Sequence, residues 1–363
     1  MSREARQWIS YEALAQAAGA EAAARDHDGA FPRAAFDGLR RLGLIGTPPL
    51  RPDEAPQLFR VLAAIGRGDL SVGRIFEGHV NAMFLIQMFG RPEQRAHFQT
   101  LAAGGALFGV WNTDAPGFAV TLDDGYLRGK KNFASGADGL DHALITASTP
   151  RGRQMAVVSI SGRPADRTWW RPLGMRASGS HVVDFAGALV SPADLLGEPD
   201  DYLREPWFTA GAVRFAAVHV GGMHAVLDTA VAHLRQCKRA ADPHQQNRIG
   251  LMATEVATGY AWLDHAAACW AKIEGRSERR HCAGIIATMS AARTAIERAA
   301  LHVLELAERS VGAAGMIAPH PLERLIRDLR TYLRQPNPDG AVAAVGAAVA
   351  EGFWRPDGHE ESP

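Results

Sequence analysis

The sequence predicts an α+β protein in three parts: an N-terminal helical domain over residues 1–105, a middle antiparallel β-barrel or sandwich domain over 106–197, and a C-terminal four-helix bundle over 205–350. Three observations predict it. Up to residue 105 apolar residues recur at helical spacing; at Ala106 the texture switches to short β-type runs; from about Trp207 the helical period returns in four long, Ala-rich segments. At 363 residues the chain can bury a large core, and 47% hydrophobic with 21% charged residues fits a globular protein.

Each part is justified by its residues. Residues 9–27, "ISYEALAQAAGAEAAARDH", are Ala-rich with recurring apolar positions. "PRAAFDGLRRLGLIG" opens on Pro32 and ends on glycines, the usual helix start and stop pattern. "APQLFRVLAAIGRGD" and "VGRIFEGHVNAMFLIQMFG" continue the set; the second is apolar nearly throughout and is expected to be buried. "RPEQRAHFQTLAAG" closes it. The β-type runs are "ALFGVWNTD", "FAVTLDDGYLRGKKNFAS", "DHALITAST", "QMAVVSI", "RTWWRPLGM" and "HVVDFAGALVS", separated by turn-forming residues, with "DDGY" as a hairpin turn. Residues 208–237, 247–273, 280–310 and 321–335 supply the four bundle helices.

Lys+Arg and Asp+Glu are both 39, so no net field favours nucleic acid or an anionic membrane. Cys237, Cys269 and Cys282 have no paired metal spacing, and the 14 histidines form no HxH or HExxH pattern, so no metal site is predicted. The N-terminus has scattered charges and no apolar h-region, and no uninterrupted apolar run has membrane-span length; the expectation is a cytoplasmic protein.

Five segments, in order, resemble the acyl-CoA dehydrogenase superfamily over residues 35–335: "LRRLGLIG", "FGRPEQRAHFQTLAAGGALFGVWNTDAPG", "GKKNFASGADGLDHALITA", "LGMRASGSHVVDFAGALVSPADLLG" and "VGAAGMIAPHPLERLIRDLRTY". The resemblance implies the three-part fold above, FAD (or FMN) as cofactor, a homodimer or homotetramer, and a small-molecule or acyl-thioester substrate. An electron-transfer flavoprotein or a flavin reductase would be the redox partner.

A flavin ring is a flat apolar plate with a polar edge, so its site needs edge hydrogen-bonding groups and an aromatic wall. Asn112 and Thr113 in "VWNTD", and Phe133 and Ser135 in "NFAS", are residues of those types. The resemblance implies that Thr113 lies near the pyrimidine edge, Ser135 near the redox-active nitrogen, and Phe133 where the family has a flanking tryptophan. It also implies that Gly312 and Gly315 in "VGAAG" approach the cofactor phosphates across a subunit interface. The family's pyrophosphate arginine has no clean counterpart; Arg235 and Arg239 are the nearest.

A dehydrogenase of this family removes an α-proton with a carboxylate, in many members the Glu of "YEG" after the "RDAR" helix. Counting forward from Arg327 and Asp328 puts Pro336 in that place. Two substitutes are candidates: Glu255, a carboxylate on an apolar helical face, and Asp339 beyond the prolines. His79, on an apolar helix beside Glu77, is the candidate for holding or delivering a proton. Three functions stay open: acyl-thioester dehydrogenation, flavin-dependent monooxygenation on the same fold, and a non-catalytic flavin- or acyl-binding member. "RQPNPDG" is expected to leave the bundle as a non-helical turn.

Without a carboxylate at position 336, α-proton removal loses a general-base contribution of about 10²–10⁴-fold. Dye-reduction assays with butyryl- and octanoyl-CoA should therefore show little or no turnover. Pro336→Glu alone should not restore it, because a broken helix does not aim the new group.

Overall fold

The computed structural model describes residues 10–273 and 279–357. Among the described residues six α-helices precede the strands: α1 (Tyr11–Ala18), α2 (Ala22–Asp28), α3 (Arg33–Arg41), α4 (Ala55–Gly68), α5 (Leu70–Phe89) and α6 (Pro92–Ala103). α5 is buried over most of its length, as its apolar composition requires, and Asp69 caps it by accepting a hydrogen bond from Val72 N. Gln94, in the first turn of α6, donates to the carbonyls of Ala193 and Leu195 and so ties this helix to the strands.

The strands are β1 (Phe108–Trp111), β2 (Thr121–Asp123), β3 (Tyr126–Arg128), β4 (Lys130–Ala134), β5 (His142–Thr149), β6 (Gly152–Ser159), β7 (Ala165–Asp166), β8 (His181–Asp184), β9 (Ala188–Leu189) and β10 (Leu195–Leu196). One sheet runs β10-β6-β5-β2-β3-β9 with β1 also on β5; a second runs β4-β8-β7. The two sheets match the expected sandwich-like layering, but not every pairing is antiparallel: β1 and β2 both run parallel to β5. The β2–β3 hairpin turns at Asp124 and Gly125, with φ of 47° and 78°, as "DDGY" predicts.

One predicted β-run is not a strand. In "RTWWRPLGM", Asp166 Oδ1 accepts from both Thr168 N and Thr168 Oγ1, a side-chain turn that ends β7. Trp169 and Trp170 then leave the sheet and pack on Phe133.

The C-terminal helices are α7 (Trp207–Ala210), α8 (Val213–Gln236), α9 (Pro243–Trp270), α10 (Arg279–Val311), α11 (Pro321–Tyr332) and α12 (Pro338–Ala350). The segment Trp207–Gln236 is long and apolar enough to cross a membrane, which no contiguous run suggested, and 67% of its most apolar window is buried against neighbouring helices. Its crossing with α4 is close: a Cβ on Gly221 would stand 2.0 Å from Ala63 O, and one on Gly66 would stand 2.4 Å from Val218 O.

The quoted "RQPNPDG" behaves only partly as expected. Residues 333–337 are non-helical, but Pro338, Asp339 and Gly340 begin a new helix. Proline at the first helical position loses no hydrogen bond, and Asn337 caps the helix by accepting from Gly340 N.

All three parts meet at α11. Arg324 Nη1 lies 3.0 Å from Asp69 Oδ2 and 3.1 Å from Asp328 Oδ2, while Asp328 Oδ1 accepts from Met175 N at 2.6 Å. Beside it, Arg327 bonds Asp26 of α2, Glu323 and the carbonyl of Leu173. Burial pushes Asp328 up to about 7 and also raises Asp69; one guanidinium facing two buried carboxylates leaves one of them holding its proton.

Two outcomes follow. A Cβ at Gly174 would stand 2.2 Å from the Arg327 carbonyl, backbone against backbone, so Gly174→Ala should lower the denaturation free energy by roughly 1–3 kcal/mol. The folded protein keeps a proton on Asp328 that the unfolded chain, with its ordinary value of 3.8, releases earlier. That contribution to stability is full below pH 3.8 and is lost as pH rises through about 7. Urea melts between pH 5 and 8 should show the decline, and Asp328→Asn should flatten it.

Candidate functional site

A cavity of about 660 Å³ opens where α5, the ends of β1 and β4, α7, α8, α10 and the 333–337 break converge. Its β-side wall is built around a buried lysine. Lys131, 0% exposed, donates to the carbonyl of Asn112 (3.0 Å), to Asp114 Oδ1 (2.5 Å) and to Thr146 Oγ1 (3.2 Å). Burial lowers its affinity for a proton and Asp114 partly restores it. The ammonium pins the strand end that carries Asn112 and Thr113 to β4, and the Asn132 N–H to Thr113 carbonyl bond (2.8 Å) completes the join.

The register of β4 against β8 shifts between Lys131 and Ala134, and Phe133 sits inside this irregularity at φ 51°. A left-handed conformation is costly for a bulky side chain and marks a functional or over-determined position. Here it turns the ring outward, 41% exposed, onto the cavity wall and edge-on to Trp169 at 5.0 Å.

The inner wall is charged. Glu77, 1% exposed on α5, receives Arg74 Nη1 at 2.7 Å on one oxygen and Arg214 Nε at 3.1 Å on the other. Arg214 Nη2 also donates to Asn81 Oδ1 at 2.6 Å. Phe84, Trp207, Phe208 and Phe215 enclose these groups with apolar rings, and Tyr202 adds a phenol pushed up to about 12 by burial, so it stays an O–H donor at neutral pH.

The remaining wall is the break after α11. Arg293, 1% exposed on α10, donates to the carbonyls of Leu333 (3.1 Å) and Pro336 (3.2 Å) and pairs with Glu297 at 2.5 Å. The carbonyls that the interrupted helix leaves unbonded are thus satisfied by one guanidinium. Where the sequence count expects a base, the cavity is lined by Gln335, Pro336 and Asn337.

Of the residues singled out in the sequence, the cavity brings together Asn112, Thr113 and Phe133. Ser135 stands behind this wall, its hydroxyl 2.9 Å from Ser180 Oγ and its carbonyl bonded by the Trp111 indole. Gly312 and Gly315 lie after α10, away from the cavity; Gly315 packs on Leu322 and Val311.

The expected pocket position of His79 is corrected. It is 0% exposed, with Nε2 donating to Ile45 O (2.9 Å) and Nδ1 accepting from Phe108 N (3.2 Å). Burial lowers it to about 4, so it is a neutral tie between α5, the segment after α3 and β1. Glu255 is also displaced from that role: it pairs with His302 Nδ1 at 2.8 Å on the α9–α10 face and does not line the cavity. Asp339 does not line it either.

The residues missed were Arg74, Glu77, Arg214, Tyr202 and Arg293. A signal existed for four of them: charges inside the apolar helical runs "VGRIFEGHV" (Arg74 and Glu77), "GAVRFAAVHV" (Arg214) and "MSAARTAI" (Arg293) need a buried partner or a cavity.

Comparison with known proteins agrees with the fold. Residues 202–333 match the family of acyl-CoA dehydrogenase C-terminal domains. The chain is 25% identical over 334 residues to a dibenzothiophene monooxygenase of Mycolicibacterium goodii, covering 81% of this chain and 80% of the relative. It is also 25% identical over 340 residues to the probable acyl-CoA dehydrogenase YngJ of Bacillus subtilis, covering 84% and 86%. Among solved structures, the FMN-bound dibenzothiophene monooxygenase TdsC of Paenibacillus sp. A11-2 superposes with a TM-score of 0.83 at 20% identity, covering 94% of this chain and 96% of that one. Helices, sheets and the matched bundle thus converge: residues 202–333 match the C-terminal domain of acyl-CoA dehydrogenases, and the chain as a whole has the fold of that superfamily's solved structures.

Proposed function

We propose that this chain is a flavin-dependent monooxygenase acting on a small organic substrate, rather than an acyl-CoA dehydrogenase. One observation carries the reading. Among the described residues, the sole carboxylate lining the cavity is Glu77, and both its oxygens are held by arginines. A carboxylate whose two oxygens both accept from guanidinium groups is badly placed to reach a substrate proton. The place of the family's base is occupied by a proline held in a carbonyl cluster around Arg293.

The residues fit a flavin ring. Asn112 Oδ1 is taken by Thr146 (2.9 Å) and Arg153 (3.0 Å), which leaves its amide N–H groups as donors for a polar ring edge. Thr113 adds a hydroxyl, and Phe133 supplies an aromatic face. These groups suit the ring common to FMN and FAD. Bound in reduced form, the cofactor would supply two electrons to dioxygen, with one oxygen atom going to the substrate and the other leaving as water; a separate flavin reductase would deliver it.

The chain's own residues then have two tasks. Asn112 and Thr113 orient the cofactor edge, and the aromatic wall keeps water from the reacting face. The dibenzothiophene monooxygenases among its relatives support this reading over dehydrogenation.

The test is anaerobic titration with reduced FMN, followed by ¹⁸O₂ and mass analysis of added aromatic compounds. Incorporation of one labelled atom is the expected result; rapid flavin bleaching by acyl-CoAs with no oxygen uptake would exclude it. Thr113→Ala should weaken flavin binding by about 2–10-fold, the worth of one neutral hydrogen bond, without lowering the melting temperature.

A further inference from the structure

We propose that the inner end of the cavity selects a planar aromatic substrate bearing an anionic group. The inference rests on the reading of this cavity as a substrate site and names the substrate's chemistry. Among the described residues Arg74 and Arg214 share Glu77 as their one ion-pair partner, so the cluster carries a surplus positive charge at the cavity wall. The other cavity-lining guanidinium, Arg293, pairs with Glu297, which Arg334 shares; Arg334 is 58% exposed, so solvent meets the excess charge there. Arg153, bonded to Asn112, stands close behind and has no carboxylate partner among the described residues.

A buried charge without a counter-charge is expensive unless a ligand completes it. The surrounding groups are suited to completing it with an anion. Arg214 is 5% exposed and its Nε and Nη2 are committed to Glu77 and Asn81, so Nη1 remains as a donor. Arg74 uses Nη1 on Glu77 and keeps Nε and Nη2. Asn81 accepts through Oδ1, which leaves its amide N–H groups, and Tyr202 stays a neutral O–H donor. Four donor side chains therefore converge beside one engaged carboxylate.

The rings fix the rest of the ligand. Arg74 lies 4.9 Å from the centroid of Phe215 and Arg214 lies 5.8 Å from that of Phe84, so a ring covers each guanidinium and the uncommitted N–H groups are left for a ligand. Phe84 and Trp207 are tilted against each other at 5.8 Å, and Tyr202 and Phe208 meet edge-on at 5.4 Å, giving apolar surface for a flat ring system. A carboxylate or sulfinate on such a ring would accept from the arginine edges; a neutral ring would leave the charge unmet.

The experiment is calorimetric titration of the purified full chain, without flavin, with 2-naphthoate and with its neutral isostere 2-naphthamide. Naphthoate should bind at least about tenfold tighter, the scale of one charge-assisted hydrogen bond. Arg74→Gln should remove that preference while retaining naphthamide binding, and Arg74→Lys should keep it in part, which separates charge recognition from misfolding. Equal affinity for the two ligands, no binding of either, or an undiminished preference in Arg74→Gln would overturn the proposal. So would a loss of reduced-FMN affinity in Arg74→Gln with naphthoate affinity unchanged, because the charge would then serve the flavin. The two readings fail separately. Oxygenation of neutral aromatics with a higher kcat/KM than of their acids would leave the monooxygenase standing and sink the anionic substrate. Tight naphthoate binding without reduced-flavin binding would do the reverse.

Discussion

The buried contact of Arg324 with Asp69 and Asp328 is the constraint on which the architecture turns. Asp69 caps the central helix of the N-terminal part, Asp328 lies on α11 of the bundle, and the same Asp328 receives the Met175 N–H from the β-part. One guanidinium and two carboxylates thereby set the spacing of three layers. Such a cluster adds little net stability against an apolar replacement, but breaking it leaves buried charge, so it enforces one arrangement of the layers over others. Gly174 is the steric companion of this contact, because the β-part can approach α11 this closely only without a side chain there.

With the layers fixed, the cavity is what remains between them, and its walls inherit their chemistry from each. The β-part contributes a strand end and an irregular strand clamped by Lys131; the N-terminal part contributes Arg74, Glu77 and Asn81; the bundle contributes Arg214 and the broken helix end. The Lys131–Asp114 pair is positional in this scheme. It fixes a loop that has hydroxyl and amide groups to offer, and it does so from behind, where solvent cannot compete.

The absence of a base after α11 is therefore not a vacancy in an otherwise unchanged site. The chain fills that place with a structure of its own: a helix stop, carbonyls gathered by Arg293, and a second helix restarted at Pro338. A carboxylate added there would face Arg293, and its ionised form would be stabilised against accepting a proton.

The sequence by itself determined the order of helical and β-type parts, because periodicities of 3.6 and 2 are local properties that survive without tertiary context. It also determined the break after Tyr332 and the hairpin at Asp124 and Gly125, where backbone chemistry admits few conformations. Asn112, Thr113 and Phe133 were legible through the residues flanking them, and the structure places all three on one wall. What only the tertiary structure decided was pairing at long range. His79 looked like a proton donor on an apolar helix, yet its two nitrogens are consumed by backbone 34 and 29 residues away. Glu77, two residues earlier, meets Arg214 across 137 residues and becomes part of a charged cavity wall. The helical period places these two side chains in different directions, but it carries no information about what lies opposite each, and that decides which one is tied to backbone and which one lines the cavity.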